Sequence, residues 1–498
     1  MLTNFTRVIP VTLCNAPRGL GYLILATLSA CTTLPSRHAP VAAGGAAVPY
    51  AYSRHVTSVN WDFSVMVSQR RARGSDLWPC AWAIDGDLYC AWGDGGGFDG
   101  DSNTAGRVSL GFARIAGIPS LEDPDSFAGT NVWGDAPKYA QAAAGFGGKV
   151  HSMTSVGGVL YAYSSLWNSE NTPDPVHHSG SGPLHTLIWS ADLGQSWERA
   201  PWTSELLGSF LNFGQNNGGA LDSYVYTYYC RPDDDVNVYL KRVPQTDMTA
   251  DPGVADVYEY LTGVDRKGEP VSWSSVESDA RPIFTDRSGV VVEVVYDAPI
   301  GRYLLTSGHN PKRTAATDSA GKVGLFEGPH PWGPWATVGY YEDWGGLGPD
   351  SFGDYLGLRF PAKWISDDGK TLWAVFSSLG QYDSFNLVKT TLTVASSVPQ
   401  LSSPAAGTAL APGQVVTTHG SGRRLSWLVS RLPNAPRGTD AVGEAPAEIA
   451  SGRGTSVTFT VPRDASPDEL VRVTLRGSDG DVFRDYSIST KGVEAPSS

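Results

Sequence analysis

The sequence predicts an all-β protein, a five-bladed β-propeller followed by a small immunoglobulin-like β-sandwich. Three observations carry this expectation. The 498-residue chain has 57 Gly, 16 Trp, 21 Tyr and 16 Phe, and only 17% of its residues are charged; such a composition favours short strands and turns over helices. One motif, a turn followed by an aromatic, β-rich run, recurs five times at intervals of roughly 70 residues, the span of four strands and their loops. The composition then shifts to a Ser/Pro/Ala stretch, after which short alternating strands resume.

Residues 1–31 read as an export signal. Arg7 and Arg18 precede the apolar stretch Gly19–Ala30, which is too short to span a bilayer permanently. It ends in Leu28-Ser29-Ala30-Cys31, which resembles a bacterial lipobox and implies lipidation of Cys31 and attachment to a cell-envelope membrane. Residues 32–51 lack apolar periodicity and read as a flexible tether.

Residues 52–395 hold the five repeats: Leu88–Trp92, Val159–Ser165, Tyr224–Tyr229, Arg302–Ser307 and Thr371–Ser378. Turn signals such as Asp85-Gly86 and Gly157-Gly158 precede them. Ser190-Ala191-Asp192-Leu193-Gly194-Gln195-Ser196-Trp197 matches the Asp-box, a hairpin turn tied by its Asp and plugged by its Trp, and Ser366–Trp373 is a degenerate copy. These are structural turns, so Asp192 is expected to stabilise and not to catalyse. Two β-sandwiches are the alternative architecture. Residues 396–412 form the linker and 413–498 the sandwich, an accessory domain.

Charge and cysteines restrict function. With 37 basic against 50 acidic residues, the net charge is −13; a nucleic-acid partner would call for a basic face. Cys80 and Cys90 flank a strand, a turn and a strand, so a hairpin would bring them together as a disulfide. No Cys/His cluster has zinc spacing. The segment Asp99–Asn103 opens like a calcium loop but has Thr104 and Leu110 where Gly and Glu are required. No cofactor or metal is expected.

The first repeat is the chemically richest segment. Asp76 sits where one strand begins and Asp94 where the next ends, in a Gly-rich turn. Folding about a turn near Asp85-Gly86 sets 76 opposite 94, so both carboxylates reach the same end. Paired carboxylates are what glycoside hydrolysis needs, although Asp at strand ends commonly caps loops. Other repeats offer Lys149, His151, Asn212, Gln215, Asn216, Asp222, Arg302, His309 and Lys363 as polar groups toward a glycan, with salt bridges as their ordinary alternative. Trp78, Trp82, Trp92 and Trp133 could stack on sugar faces, though most Trp in such a fold is packing.

The segments Asp76-Leu77-Trp78, Asp85-Gly86 and Gly93-Asp94-Gly95, with Asp222–Tyr226, Gly301–Thr306, Pro331–Trp335 and Phe360–Ser366 downstream, resemble the five-bladed propeller family of endo-D-arabinanase glycoside hydrolases. The resemblance covers about residues 70–395. It implies Asp76 and Asp94 as the catalytic carboxylates and an arabinan-like glycan as substrate. Two departures, Gly95 in place of Thr and Trp78 in place of Gly, point to a wider, more aromatic mouth and a different sugar. The expected protein is a monomeric, envelope-anchored glycoside hydrolase acting on a polysaccharide or glycoconjugate with inversion. A non-catalytic glycan-binding propeller is one alternative. A polysaccharide lyase using Arg302, His309 and Lys363 is another.

Overall fold

The computed structural model describes residues 48–66, 68–99, 108–134, 148–165, 178–179, 182–250, 252–265, 268, 270–286, 292–309, 322–346, 357–377, 383–395, 399–404, 408–432, 447–466, 469–477 and 480–489. These all fall in the unit Ala46–Ser498. Cys31, the export signal, most of the tether, residues 100–107 of the calcium-like loop and His177 lie outside them.

Five antiparallel arrays follow one another along the chain. The first contains β2 (Asp76–Trp82), β3 (Leu88–Gly93), β4 (Gly111–Gly117) and β5 (Phe127–Trp133) in that order. The second begins with β6 (Val150–Val156) and β7 (Val159–Ser165) and continues through His185–Ser190 and Glu198–Arg199. The third starts at Leu207–Asn212 and Tyr224–Arg231, and the fourth at Val292–Asp297 and Arg302–Gly308. These two are joined by a parallel pairing of their first strands, Leu211 with Val294. The fifth runs from Leu358–Arg359 through Thr371–Phe376 to Asn386–Val394, and its outer strand is β1 (Val56–Asp62), brought from the start of the domain.

The five aromatic runs are the second strands of these arrays. Their residues are buried on both faces, not on alternate ones, from Leu88–Gly93 to Thr371–Phe376. The reason lies in the packing. One apolar core lies between the first and second arrays, around Phe112, Leu160 and Ile188. Others lie between the second and third (Tyr163, Phe210, Val243), the third and fourth (Tyr228, Leu240, Leu305), and the fourth and fifth (Leu304, Leu325, Leu372). The last joins the fifth back to the first through Trp78, Trp92, Trp373 and Phe385. A strand with a core on either side reads as a continuous apolar run. This cyclic packing is not that of two sandwiches.

Turn chemistry supports the arrays. The β6–β7 hairpin pairs Val156 with Val159, leaving Gly157 and Gly158 at φ 60° and 84°, the two left-handed positions that a tight hairpin requires. At the Asp-box, Asp192 accepts from Ser190 Oγ and the Ser196 amide, each at 2.8 Å. Trp197 stacks on Phe112 at 3.9 Å and wedges the second array against the first. Burial opposes ionisation of Asp192, but the hydrogen bonds from Ser196 and Ser190 outweigh it and hold the carboxyl below its ordinary value.

After residue 399 a three-stranded sheet (Gln400–Ser403, Val415–Ser421, Ser456–Thr460) faces a four-stranded one (Ala447–Arg453, Ser426–Leu432, Leu470–Gly477, Gly480–Ser487) across one core that includes Trp427, Phe459 and Val473. Two expected boundaries change. Gln400–Ser403 lies in the expected linker yet pairs as a strand, because its alternate residues have a sheet edge to join. Val48 and Tyr50, at the end of the expected tether, pack on the core between the third and fourth arrays, where the Tyr50 hydroxyl accepts from the Thr285 amide at 2.7 Å.

Since β1 is the outer strand of the fifth array and buries Val56 in its core, removing it strips a row of ladder hydrogen bonds worth about 1 kcal/mol each. A chain beginning at residue 63 is expected to lose several kcal/mol and cooperative unfolding, measured by chemical denaturation. An unchanged midpoint would show that β1 does not hold the last array.

Candidate functional site

The first strands run in one sense, which gives the assembly two ends. Their beginnings gather at a mouth end: Lys149 beside Asp76, and Arg359 bonded to Leu77 and Glu293. Their ends and the hairpins gather at the other, where Gln215 donates to Ala83 O and Ile84 O at 3.2 and 3.1 Å and Lys363 meets Asp87 at 3.0 Å.

Asp76 and Asp94 both lie at the mouth end. The β2–β3 ladder pairs Cys80 with Cys90 near the turn, joined by a disulfide with Cα atoms 4.1 Å apart. Toward the mouth the register shifts between Leu77 and Cys80, so Asp76 faces Gly93 and not Asp94. The expected pairing is therefore corrected by one residue. The shift is a bulge in which Leu77 and Trp78 have φ of 75° and 61°, conformations costing side-chain-bearing residues about 1–2 kcal/mol each. Such outliers persist only where their surroundings over-determine them.

Gly93 makes the approach possible. A Cβ there would lie 2.6 Å from Asp76 Oδ1 and 3.1 Å from Lys149 Nζ. The carboxylate and the ammonium thus flank one point that only glycine leaves open. Lys149 Nζ forms an ion pair with Asp94 Oδ1 and donates to Ser109 O at 3.1 Å. Asp94 itself is left-handed, at φ 61°. The result is a carboxylate, ammonium and carboxylate group drawn from two neighbouring arrays.

His151 follows Lys149 by two residues, at the start of β6. Its ring lies 5.9 Å from that of His185, and the Nδ1 atoms of both are buried without a hydrogen-bond partner. Burial, then His185, Lys149 and Arg359, push the His151 imidazole down to about 3. Burial and Lys241 push His185 down to about 4. Both rings are neutral near pH 7.

Behind the carboxylates, Arg359 donates from Nη1 to Leu77 O and from Nη2 to Glu293 Oε1 at 2.7 Å. Burial raises the Glu293 carboxyl and the Arg359 charge only partly offsets it. Both side chains line a cavity of about 20 Å³ with Cys80, Trp82, Asn212 and Thr306. That is room for about one water molecule.

Several expected contacts are corrected. Trp78 and Trp92 have no exposed surface and stack on each other at 6.1 Å; Trp133 is likewise buried against Phe112. They are packing between arrays, not sugar platforms. Trp82 ends β2 and bonds Gly86 O at the hairpin end. Asp222 caps the Tyr224 amide and accepts from Tyr226 OH, also at the hairpin end. Arg302 is 2% exposed and 3.1 Å from Glu327 in a buried ion pair, so it has no face for a ligand. Lys363 is held by Asp87, away from the carboxylates. His309 is fully buried and stacks on Tyr340 at 3.8 Å. With these three placed so, the residues expected to serve a lyase do not meet at the mouth.

Glu293, Arg359 and His185 escaped the sequence reading. A signal was present: Glu293 stands near the start of a strand that is apolar up to its terminal Asp297 (VEVVYD), and Arg359 is the one charge in the short apolar stretch LRF. Among the described residues, no group of three or more His, Cys, Asp or Glu is arranged to hold a metal ion, and no helix is long and apolar enough to cross a membrane.

No family model matches the chain, and no curated protein is significantly similar to it. Solved structures resemble it remotely. A candidate hydrolase from Bacteroides ovatus aligns at 11% identity and a TM-score of 0.40, covering 66% of this chain and 88% of that one. A candidate glycoside hydrolase from Parabacteroides distasonis aligns at 13% and 0.34, covering 69% and 96%. The GH43 protein BlXynB of Bacillus licheniformis aligns at 7% and 0.34, covering 84% and 90%. Likeness this low does not carry an activity across.

The neutral histidines imply an acid limit. Their folded-state values lie below the ordinary 6.5, so their contribution is complete above pH 6.5 and is lost as pH falls toward 4 and then 3. The melting temperature is expected to drop from pH 6.5 to 4.5, and less steeply in His185→Gln and His151→Gln than in the wild type. Parallel curves would mean that the two rings do not set this limit.

Proposed function

We propose that the five arrays are the blades of a propeller closed by β1, with an immunoglobulin-like accessory sandwich, and that the protein is a glycoside hydrolase. The observation that carries this is the convergence of Asp76 and Asp94 on Gly93 at the mouth end. One carboxyl protonates the leaving oxygen, while the other activates the attacking water or stabilises the oxocarbenium-like transition state.

Lys149 has two effects in this scheme. It pairs with Asp94. It also places a cation between two acids that stand 18 residues apart in sequence. Inversion is the outcome proposed, and it requires the two carboxyls to stand roughly 6.5–9.5 Å apart when substrate is bound, the separation that admits a water under the sugar. An arabinan-like polysaccharide or glycoconjugate is the first substrate to try, on the resemblance of the Asp76–Gly95 segment. The lipobox at Cys31 supports an envelope-anchored location, and a monomer needing no cofactor is the simplest assembly.

The test is a panel of glycans, D-arabinan included, incubated with wild type, Asp76→Asn and Asp94→Asn, with products sized and their anomers followed by NMR. Each substitution is expected to lower turnover by about 10²–10⁴-fold, with an inverted first-formed anomer. Glycan binding without any product from wild type would replace the hydrolase with a binding propeller. An unsaturated, ultraviolet-absorbing product would replace it with a lyase.

A further inference from the structure

We propose that Arg359 is a positioning residue for Asp76, acting through the backbone of Leu77. The proposal rests on the reading of Asp76 as a hydrolytic carboxylate, and it adds a residue from the neighbouring fifth array to that site.

The argument begins at the bulge. Leu77 and Trp78 are consecutive residues with side chains and positive φ, directly after Asp76. A left-handed residue turns its peptide groups out of the ladder, and buried peptide groups need other partners. Leu77 is 4% exposed. Its N–H donates to Ser377 Oγ at 2.8 Å, and its C=O accepts from Arg359 Nη1. Both partners belong to the fifth array. Trp78 Nε1 donates back to Ser75 O at 2.9 Å, so the segment 75–78 is held from both sides.

Arg359 is itself fixed. Its second nitrogen reaches Glu293 Oε1 of the fourth array at 2.7 Å, and the two side chains are 6% and 10% exposed. One guanidinium therefore ties three arrays together at the residue next to Asp76. The planar fork of arginine addresses the carboxylate and the carbonyl from two separate nitrogens held at a fixed angle, whereas a lysine offers both partners one nitrogen at the end of a flexible stem. A buried ion pair is a poor device for stability alone, since a well-packed apolar pair serves as well. What this pair supplies is the donor for the Leu77 carbonyl. If it is lost, the peptide turns, and the Asp76 carboxylate leaves its place over Gly93. A displacement of about 1 Å at a reacting group can cost about 100-fold in rate.

The experiment compares wild type, Arg359→Lys, Ser377→Ala and Asp76→Asn. Hydrogen exchange followed by mass spectrometry reads the peptide covering residues 75–82, and kinetics are measured on the glycan that the wild type hydrolyses, D-arabinan being tried first. In Arg359→Lys the peptide is expected to lose protection, and kcat to fall about 10–100-fold with KM nearly unchanged. Ser377→Ala is expected to show the same pattern more weakly, and it carries the test if Arg359→Lys does not fold. A folded Arg359→Lys protein with wild-type protection overturns the proposal. So does lost protection with unchanged kcat, which would make Arg359 a strut and nothing more. Asp76→Asn turning over at the wild-type rate sinks the hydrolytic reading of Asp76 itself. Inactive Asp76→Asn beside fully active Arg359→Lys sinks only the positioning role.

Discussion

Every array in this protein has two apolar faces, and each face has to be covered by a neighbour. That constraint governs the rest of the structure. Five arrays satisfy it by packing in a cycle, with a separate core in each gap, from Phe112 and Ile188 in one to Trp78 and Phe385 in another. The cycle is held where it began, by the pairing of Val56–Asp62 with Asn386–Val394. Because the second strands are enclosed on both sides, they are mostly apolar, and their charged residues sit at the strand ends.

The ends then differentiate. At the hairpin end, charges neutralise one another. Lys363 and Arg114 hold Asp87, and Arg302 and Glu327 form a closed pair nearby. The sandwich docks there as well. Arg472 donates to Ala220 O and Gly218 O while covering Phe483, which in turn stacks on Tyr296. At the mouth end the charges instead come from different arrays: Asp76 and Asp94 from the first, Lys149 from the second, Glu293 from the fourth and Arg359 from the fifth. Three of the eight side-chain-bearing residues with positive φ among the described residues lie beside them: Leu77, Trp78 and Asp94. Strain next to convergent charges is the pattern of a site whose geometry is imposed by its surroundings.

Much of this was legible in the chain. The five aromatic runs mark five second strands because burial on both faces leaves a continuous apolar signature. The Asp85-Gly86 turn and the flanking cysteines locate the β2–β3 hairpin, and with it the meeting of Asp76 and Asp94. The register missed by one because the bulge occupies Leu77 and Trp78, residues that do not announce a left-handed backbone as glycine would. The tryptophans misled for a related reason. Composition cannot say whether an indole faces a core or a cavity, and here Trp78 and Trp92 fill the gap between the last array and the first.

The sequence by itself determined the all-β class, the number and order of the repeats, the hairpin that joins Cys80 to Cys90, and the two acids at one end of it. These follow from local signals, namely turn residues, strand periodicity and short separation along the chain. Only the tertiary structure decided which charges share that end. Lys149, Glu293 and Arg359 come to the same end as Asp76 from 73 to 283 residues away in sequence, and nothing local encodes such placement. The packing of neighbouring arrays brings the starts of the first strands toward one end. It sends Arg302, Lys363 and Asp222, which look equally suitable in the sequence, to the opposite end.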